Sequence, residues 1–215
     1  MNTNHQSSYW LAIAADLPES PETLVLLDAG SGTDPSLWNP VIDSLASSSV
    51  LIMVGQYGPG TDLHEATSVI VSGTNEARRN HPGLVHRILV GSQRGSHALQ
   101  LAISEQTSIA THLVLIDPEP IAHVPGCADH WSITLLQERI PVPTTIILHG
   151  STAPDSADAA RRAAQESEIR SFPNRREILA GRSRTCILSE RPDVVIEAIK
   201  SLPGMQSHNV QRSGT

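Results

Sequence analysis

The chain has 215 residues, of which 39% are hydrophobic and 17% charged, which is typical of a globular protein with a buried core. A formal net charge of −7 and a pI near 5.8 argue against a nucleic-acid-binding surface, because such a surface needs clustered lysine and arginine. Two cysteines are too few for a disulfide framework, and the ten histidines lack the spacing of metal ligands. No apolar run is long enough for a membrane span and no cationic leader opens the chain, so we expect a cytoplasmic protein without a metal or other cofactor.

Apolar runs of strand length alternate with helical segments along the chain. The predicted strands cover residues 9–14, 24–27, 50–54, 88–90, 112–116, 144–148 and 176–180. The predicted helices cover residues 37–45, 62–80, 98–103, 156–169 and 193–202. This alternation predicts an α/β fold in which helices cover both faces of a mostly parallel sheet. Residues 1–203 are expected to form a single domain, and residues 204–215 a disordered tail.

The strand at 88–90 runs into the next helix through the turn Gly91-Ser92-Gln93-Arg94-Gly95. Glycines two positions on either side of the apex are typical of a nucleophile elbow, which usually reads G-x-S-x-G. Here the apex residue is Gln93, whose amide donates and accepts hydrogen bonds but is neither a nucleophile nor a general base near neutral pH. An ordinary strand-to-helix turn is the alternative interpretation.

A glycine-rich loop, Asp28-Ala29-Gly30-Ser31-Gly32, follows the second predicted strand. It resembles the loop of Rossmann-like methyltransferases, which cradles S-adenosylmethionine. Those proteins carry an acidic residue at the end of the next strand to hold the ribose, and the sequence Val54-Gly55-Gln56 has none.

The order of the segments resembles the α/β-hydrolase superfamily over nearly the whole chain. LVLLDAGSGT resembles the strand and oxyanion loop of that family, LVGSQRGSHAL resembles its elbow, and ILAGRSRTCILSERP resembles its last strand and histidine loop. The resemblance implies a minimal core with little or no cap domain. It also implies that the backbone N–H groups of Gly30, Ser31, Gly32 and Arg94 stabilise negative charge on an oxygen atom.

The same resemblance exposes departures from the catalytic triad. Gln93 replaces the nucleophilic serine, and Thr185 stands where the family has its histidine. The candidate acids are Asp155 and, after the preceding strand, Glu119. Asp28 lies at the carboxyl end of a strand, where it is a candidate base or proton relay and equally a candidate helix cap.

Three further side chains are candidate pocket residues: Tyr57, Trp38 and His149. His149 also fits a role in bracing a turn, and the helical spacing of Trp38 also fits the core. We predict a cofactor-independent, non-hydrolytic enzyme that cyclises, eliminates from or isomerises a small carbonyl-bearing molecule. A non-catalytic binding or scaffold protein and an esterase with a relocated triad remain alternatives. The short cap predicts a pocket that is either open or completed by a second subunit of a homo-oligomer.

Overall fold

The computed structural model describes residues 9–13, 20–30, 33–46, 50–57, 61–120, 140–150, 156–181, 183 and 186–206. Seven strands form one sheet in the order β1-β3-β2-β4-β5-β6-β7. The strands are β1 (Tyr9–Ile13), β2 (Thr23–Asp28), β3 (Val50–Gln56), β4 (His86–Ser92), β5 (His112–Ile116), β6 (Thr144–His149) and β7 (Arg175–Ala180). Strands β2 to β7 run parallel, and β1 pairs antiparallel with β3 at one edge. The predicted mostly parallel α/β sheet is confirmed.

Two helical layers cover the sheet. The helices are α1 (Asn39–Leu45), α2 (Leu63–Asn80), α3 (Gly95–Glu105), α4 (Ser156–Ile169), α5 (Ile187–Glu190) and α6 (Pro192–Lys200), and 3-10 turns span Pro35–Trp38 and Thr107–Ile109. Successive residues of a strand point to opposite faces, so Val25 and Leu27 pack with α1 and α6, whereas Leu26 packs with α2 and α3. All six residues of β2 are buried, as expected for a central parallel strand with helices on both faces.

The described part of the chain stays packed to its end. The hydroxyl of Thr23 donates to the carbonyl oxygen of Gly204 at 3.2 Å, and Met205 is buried against the layer of α1 and α6. Gly204 and Met205, which were predicted to begin the disordered tail, therefore belong to the folded part. Residues 207–215 lie outside the described ranges. Residues 121–139, in the short connection predicted where related folds carry a cap, also lie outside them. Within the described ranges, no helix combines the length and the apolar character needed to cross a membrane.

The turn between β4 and α3 touches the end of β2. A Cβ atom on Gly95 would lie 2.5 Å from the carbonyl oxygen of Asp28, and one on Gly91 would lie 2.9 Å from the backbone of Ser96. Both distances are far below van der Waals contact, so neither position has room for a side chain. The two glycines that suggested an elbow are therefore required by the packing of the turn.

Gly95→Ala is expected to lower the free energy of unfolding by about 1–3 kcal/mol, the usual cost of overpacking. In an ordinary helix the same change would be favourable, since alanine has the higher helix propensity. Urea denaturation of the two proteins measures the difference. Gly181→Ala is the matched control, because a Cβ atom there would have no neighbour within 4 Å. Equal stability of Gly95→Ala and the unsubstituted protein would contradict the close packing of the elbow.

Candidate functional site

The carboxyl ends of four parallel strands place four polar residues at one edge of the sheet. Asp28 of β2 pairs with Gly91 of β4, so it lies beside the turn that carries Gln93. Ser92 pairs with Ile116 of β5, which in turn pairs with Ile147 of β6. The residues after these pairs, which include Gln93, Asp117 and His149, therefore share this edge. Neighbouring strands are separated by about 4.8 Å, so the backbones of Gln93 and His149 lie roughly 10 Å apart.

Gln93 is the apex of a true elbow. Its φ angle is +48°, a left-handed conformation that non-glycine residues rarely adopt. Its backbone N–H donates to the carbonyl oxygen of Ile116 at 3.0 Å, which ties the turn to the neighbouring strand. Among the described non-glycine residues, Asp117 is the other with a positive φ, at +44°. Backbone strain of this kind is concentrated at functional sites, and here both examples lie on the same edge.

Asp28 is a fully buried carboxyl group with two hydrogen-bond donors. The backbone N–H of Gly30 donates to its Oδ1 at 2.7 Å, and the hydroxyl of Tyr57 donates to its Oδ2 at 2.8 Å. Burial raises the pKa of Asp28 from its usual 3.8 to about 6, although both hydrogen bonds act to lower it. A carboxyl group with this pKa exchanges protons close to neutral pH, as an acid–base residue must.

This geometry corrects one prediction about the loop after β2. The backbone N–H of Gly30 donates to the side chain of Asp28, so it does not serve as the predicted donor to a substrate oxygen. Gly30 has a φ of +82°, which turns the chain back towards the carboxylate. Ser31 and Gly32, the other two predicted donors of this loop, lie outside the described residues. Arg94 precedes the first residue of α3, where backbone N–H groups point out of the helix, so its predicted role as a donor remains a prediction.

A second carboxylate forms a pair with a histidine. The Nε2 atom of His149 lies 2.8 Å from Oδ2 of Asp117, and both side chains are largely buried. The side-chain amide of Gln165, on α4, donates to Oδ1 of Asp117 at 3.0 Å and to the carbonyl oxygen of Pro118 at 2.9 Å. The carboxylate favours the tautomer with hydrogen on Nε2, which makes Nδ1 the basic nitrogen of the imidazole. An acid that orients a histidine is the arrangement that general-base catalysis uses.

Some of the predicted site residues lie in surroundings that do not fit their predicted roles. The carboxylate of Glu119 pairs with the guanidinium of Arg94 at 3.4 Å, so the acid that orients a histidine is Asp117 and not the predicted Glu119. Trp38 is fully buried in the core beneath α1, so its prediction as a pocket wall was wrong. Tyr57 does lie at the site, through its bond to Asp28. Thr185 and Asp155 lie outside the described residues.

Sequence reasoning placed His149 at this edge but missed its partnership with Asp117. The available signal was that both residues directly end or follow neighbouring apolar strands, at the sheet edge where ligands bind in open α/β folds. Across the described ranges, no group of three histidine, cysteine, aspartate or glutamate residues could hold a metal ion.

Solved structures of very different sequence share this architecture. The chain is similar to a thermophilic esterase from Thermogutta terrifontis with bound malate, with a TM-score of 0.69, 13% identity, and coverage of 90% of this chain and 91% of that one. It is similar to a dienelactone hydrolase from Anabaena variabilis, with a TM-score of 0.67, 15% identity, and coverage of 90% and 94%. It is also similar to Est1E from Butyrivibrio proteoclasticus, with a TM-score of 0.65, 15% identity, and coverage of 90% of both chains. The chain has the α/β-hydrolase fold.

No protein-family model and no curated protein matches the sequence. At 15% identity or below, these three structural likenesses establish the fold and not the activity. Within the α/β-hydrolase fold, Gln93 occupies the apex of the elbow, and the Asp117–His149 pair follows the next two strands. The chemistry therefore has to be argued from these side chains themselves.

The raised pKa of Asp28 predicts a specific dependence of stability on pH. The folded chain holds this proton to a higher pH than the unfolded chain does, so stability falls as the pH rises from about 4 to about 6. Asp28→Asn has no charge to bury, and it should gain stability relative to the unsubstituted protein across this window, by up to about 3 kcal/mol. Urea denaturation at a series of pH values measures the difference.

Asp193→Asn is the control, because Arg191 lowers the pKa of that exposed carboxyl group and its stabilisation is already complete above pH 4. Its difference from the unsubstituted protein should stay nearly flat between pH 4 and 7. A flat difference for Asp28→Asn as well would show that Asp28 is ionised at low pH, contrary to the effect of its burial.

Proposed function

We propose that this protein is a cofactor-independent enzyme that transfers a proton on a small carbonyl-bearing molecule, leading to cyclisation, elimination or isomerisation. One observation carries the proposal: the elbow apex bears an amide, while two buried carboxyl groups with acid–base partners lie on the same edge of the sheet. The proposal is supported by Gln93, which stands where a covalent hydrolase has its nucleophile, and by carboxyl and imidazole groups that can accept and donate protons.

The nearby hydroxyl groups do not restore a nucleophile. The hydroxyl of Ser96 is fully buried and donates to the carbonyl oxygen of Gly91 at 3.0 Å, so it serves to hold the turn together. Ser92 is the last residue of β4, one position before the apex, and it is buried. Neither serine occupies the apex, which is the position of the nucleophile in an elbow. Esterases and lipases among the similar structures share the fold, yet the residues of this chain favour non-covalent chemistry.

In the proposed mechanism, His149 removes a proton from the carbon next to the substrate carbonyl. Asp117 holds the imidazole in the reactive tautomer and stabilises the imidazolium that forms. Gln165 fixes the carboxylate of Asp117 from the other side, and is therefore a positioning residue. The positions of these groups are set by strand ends and a helix, which favours a preorganised site.

The amide of Gln93 supplies a hydrogen bond to the substrate oxygen, where negative charge grows as the proton leaves. Asp28, with a pKa of about 6, is fully buried, so it returns a proton through its hydrogen-bond partner Tyr57. The Tyr57 hydroxyl passes its own proton to the enolate carbon or to a leaving group and takes up the proton of Asp28. The hydrogen bond to Tyr57 then stabilises the carboxylate that remains. These side chains together complete a proton transfer in which no covalent bond to the protein forms.

The proposal predicts exchange of carbon-bound hydrogen with solvent. A panel of 2-oxo acids, 1,3-diketones and β-keto esters is incubated with the protein in D₂O, and deuterium incorporation is followed by mass spectrometry. At least one compound should exchange faster than in buffer. His149→Gln should slow that exchange by roughly 100-fold or more, the range for losing a general base. Gln93→Ala should slow it roughly ten- to a thousand-fold, the range for losing one electrostatic donor.

His112→Gln is the matched control, because His112 is the first residue of β5 and therefore lies at the amino-terminal end of the strands, away from the site. Exchange that persists in His149→Gln would place the base elsewhere. Compounds that raise the melting temperature but never exchange would favour the alternative of a non-catalytic binding protein. Exchange equal to that in buffer for every compound would overturn proton transfer on these substrate classes.

A further inference from the structure

A cleft of about 420 Å³ lies between the end of α2 and the start of β4. Its lining includes the basic residues Arg78, Arg79, His81 and Arg87, together with Leu84. It is far from the elbow, because Arg87 and Gln93 are separated by the length of β4, about 20 Å at 3.3 Å per residue. This cleft, referred to below as the arginine cleft, is therefore separate from the site already described.

The arginines of the cleft have no carboxylate partners among the described residues. Arg94, Arg170, Arg175 and Arg191 each form an ion pair within 4 Å, whereas Arg78, Arg79 and Arg87 form none with any described carboxylate. The chain carries 22 acidic residues against 15 lysines and arginines, so three clustered guanidinium groups without a described carboxylate partner are a marked local excess of positive charge. An anion from solution would balance that charge.

The side chain of Arg87 is held in place by hydrogen bonds to the backbone. Its Nη1 donates to the carbonyl oxygens of Leu84 and Val85, at 3.1 Å each, so the plane of the guanidinium is fixed. Its Nε is buried without a hydrogen-bond partner among the described residues. Burial lowers the pKa of Arg87, and repulsion by the charge of Arg78 lowers it further. A bound anion would remove this repulsion.

Helix stability explains only part of the cluster. Arg78 and Arg79 lie in the last turn of α2, where positive charge interacts favourably with the helix dipole. Arg87 lies on β4, so the dipole of α2 gives no reason for a half-buried guanidinium at that position. Arginines from two elements, α2 and β4, meet at this cleft, as is expected of a binding site. Stabilisation of the end of α2 alone would not need an arginine on β4.

We propose that the arginine cleft binds the phosphoryl groups of a small phosphorylated molecule. Guanidinium groups match phosphate oxygens in pairs, and three of them suit a ligand with two or more phosphate charges. The cleft volume falls within the range of small-molecule sites. The net charge of −7 disfavours a long polyanion such as a nucleic acid, which would meet acidic surface beyond the cleft. This site is independent of the proposed proton transfer.

Pyrophosphate is the probe for the test, with binding measured by isothermal titration and by the shift in melting temperature. Pyrophosphate should bind and raise the melting temperature more than sodium chloride at the same ionic strength. The double variant Arg78→Gln/Arg79→Gln, whose side chains are exposed, should weaken binding at least about tenfold. Arg87→Gln should weaken it as much, and the double variant keeps the test valid if Arg87→Gln folds poorly.

Arg170→Gln is the matched control, because Arg170 is exposed, pairs with Glu166 and lies beyond the cleft. It should leave pyrophosphate binding unchanged although it removes one positive charge. Equal stabilisation by sodium chloride, or equal loss in Arg170→Gln, would reduce the effect to ionic strength and overturn the proposal. Malonate that binds as tightly as pyrophosphate would contradict phosphoryl recognition. A single-stranded oligonucleotide that binds more tightly than pyrophosphate would contradict a small ligand.

Discussion

The close approach of the elbow turn to the end of β2 is the constraint on which the site depends. Gly95 lies against the backbone of Asp28, and a Cβ atom there would also come within 2.9 Å of the Asp28 carboxylate. A Cβ atom on Gly30 would lie 2.7 Å from the backbone nitrogen of Gly95. None of these contacts involves the side chain at the apex, so they do not depend on which residue stands there. The geometry of a nucleophile elbow can therefore persist while Gln93 changes what the apex does.

Two buried carboxyl groups on this edge have opposite electrostatic surroundings. Asp28 receives hydrogen bonds only from neutral donors in the contacts described, and burial raises its pKa to about 6. Asp117 faces His149, which balances its charge whenever the imidazole is protonated. Carboxyl groups in contrasting surroundings can take different roles in one site. We propose that Asp28 with Tyr57, and Asp117 with His149, take such different roles at the carboxyl ends of these strands.

The fold could be predicted from the sequence because it depends on local patterns of apolar residues and glycines. Short apolar runs marked strands buried on both faces, and Gly91 and Gly95 marked a turn without room for side chains. The site was harder, since its contacts join residues far apart in sequence. Gln165 reaches Asp117 across 48 positions, and no spacing rule reports such a bond. The burial of Trp38 and the use of the Gly30 N–H by Asp28 likewise depend on how loops close in three dimensions.

We propose that the elbow has kept its geometry and lost covalent attack. Mass spectrometry of the intact protein after treatment with a fluorophosphonate, and separately with an activated aryl ester, tests it most directly. We expect an unchanged mass in both cases, because the apex carries an amide and the hydroxyl of Ser96 donates a hydrogen bond to the carbonyl oxygen of Gly91. A stoichiometric phosphonyl or acyl adduct on a serine beside the apex, Ser92 or Ser96, would contradict it.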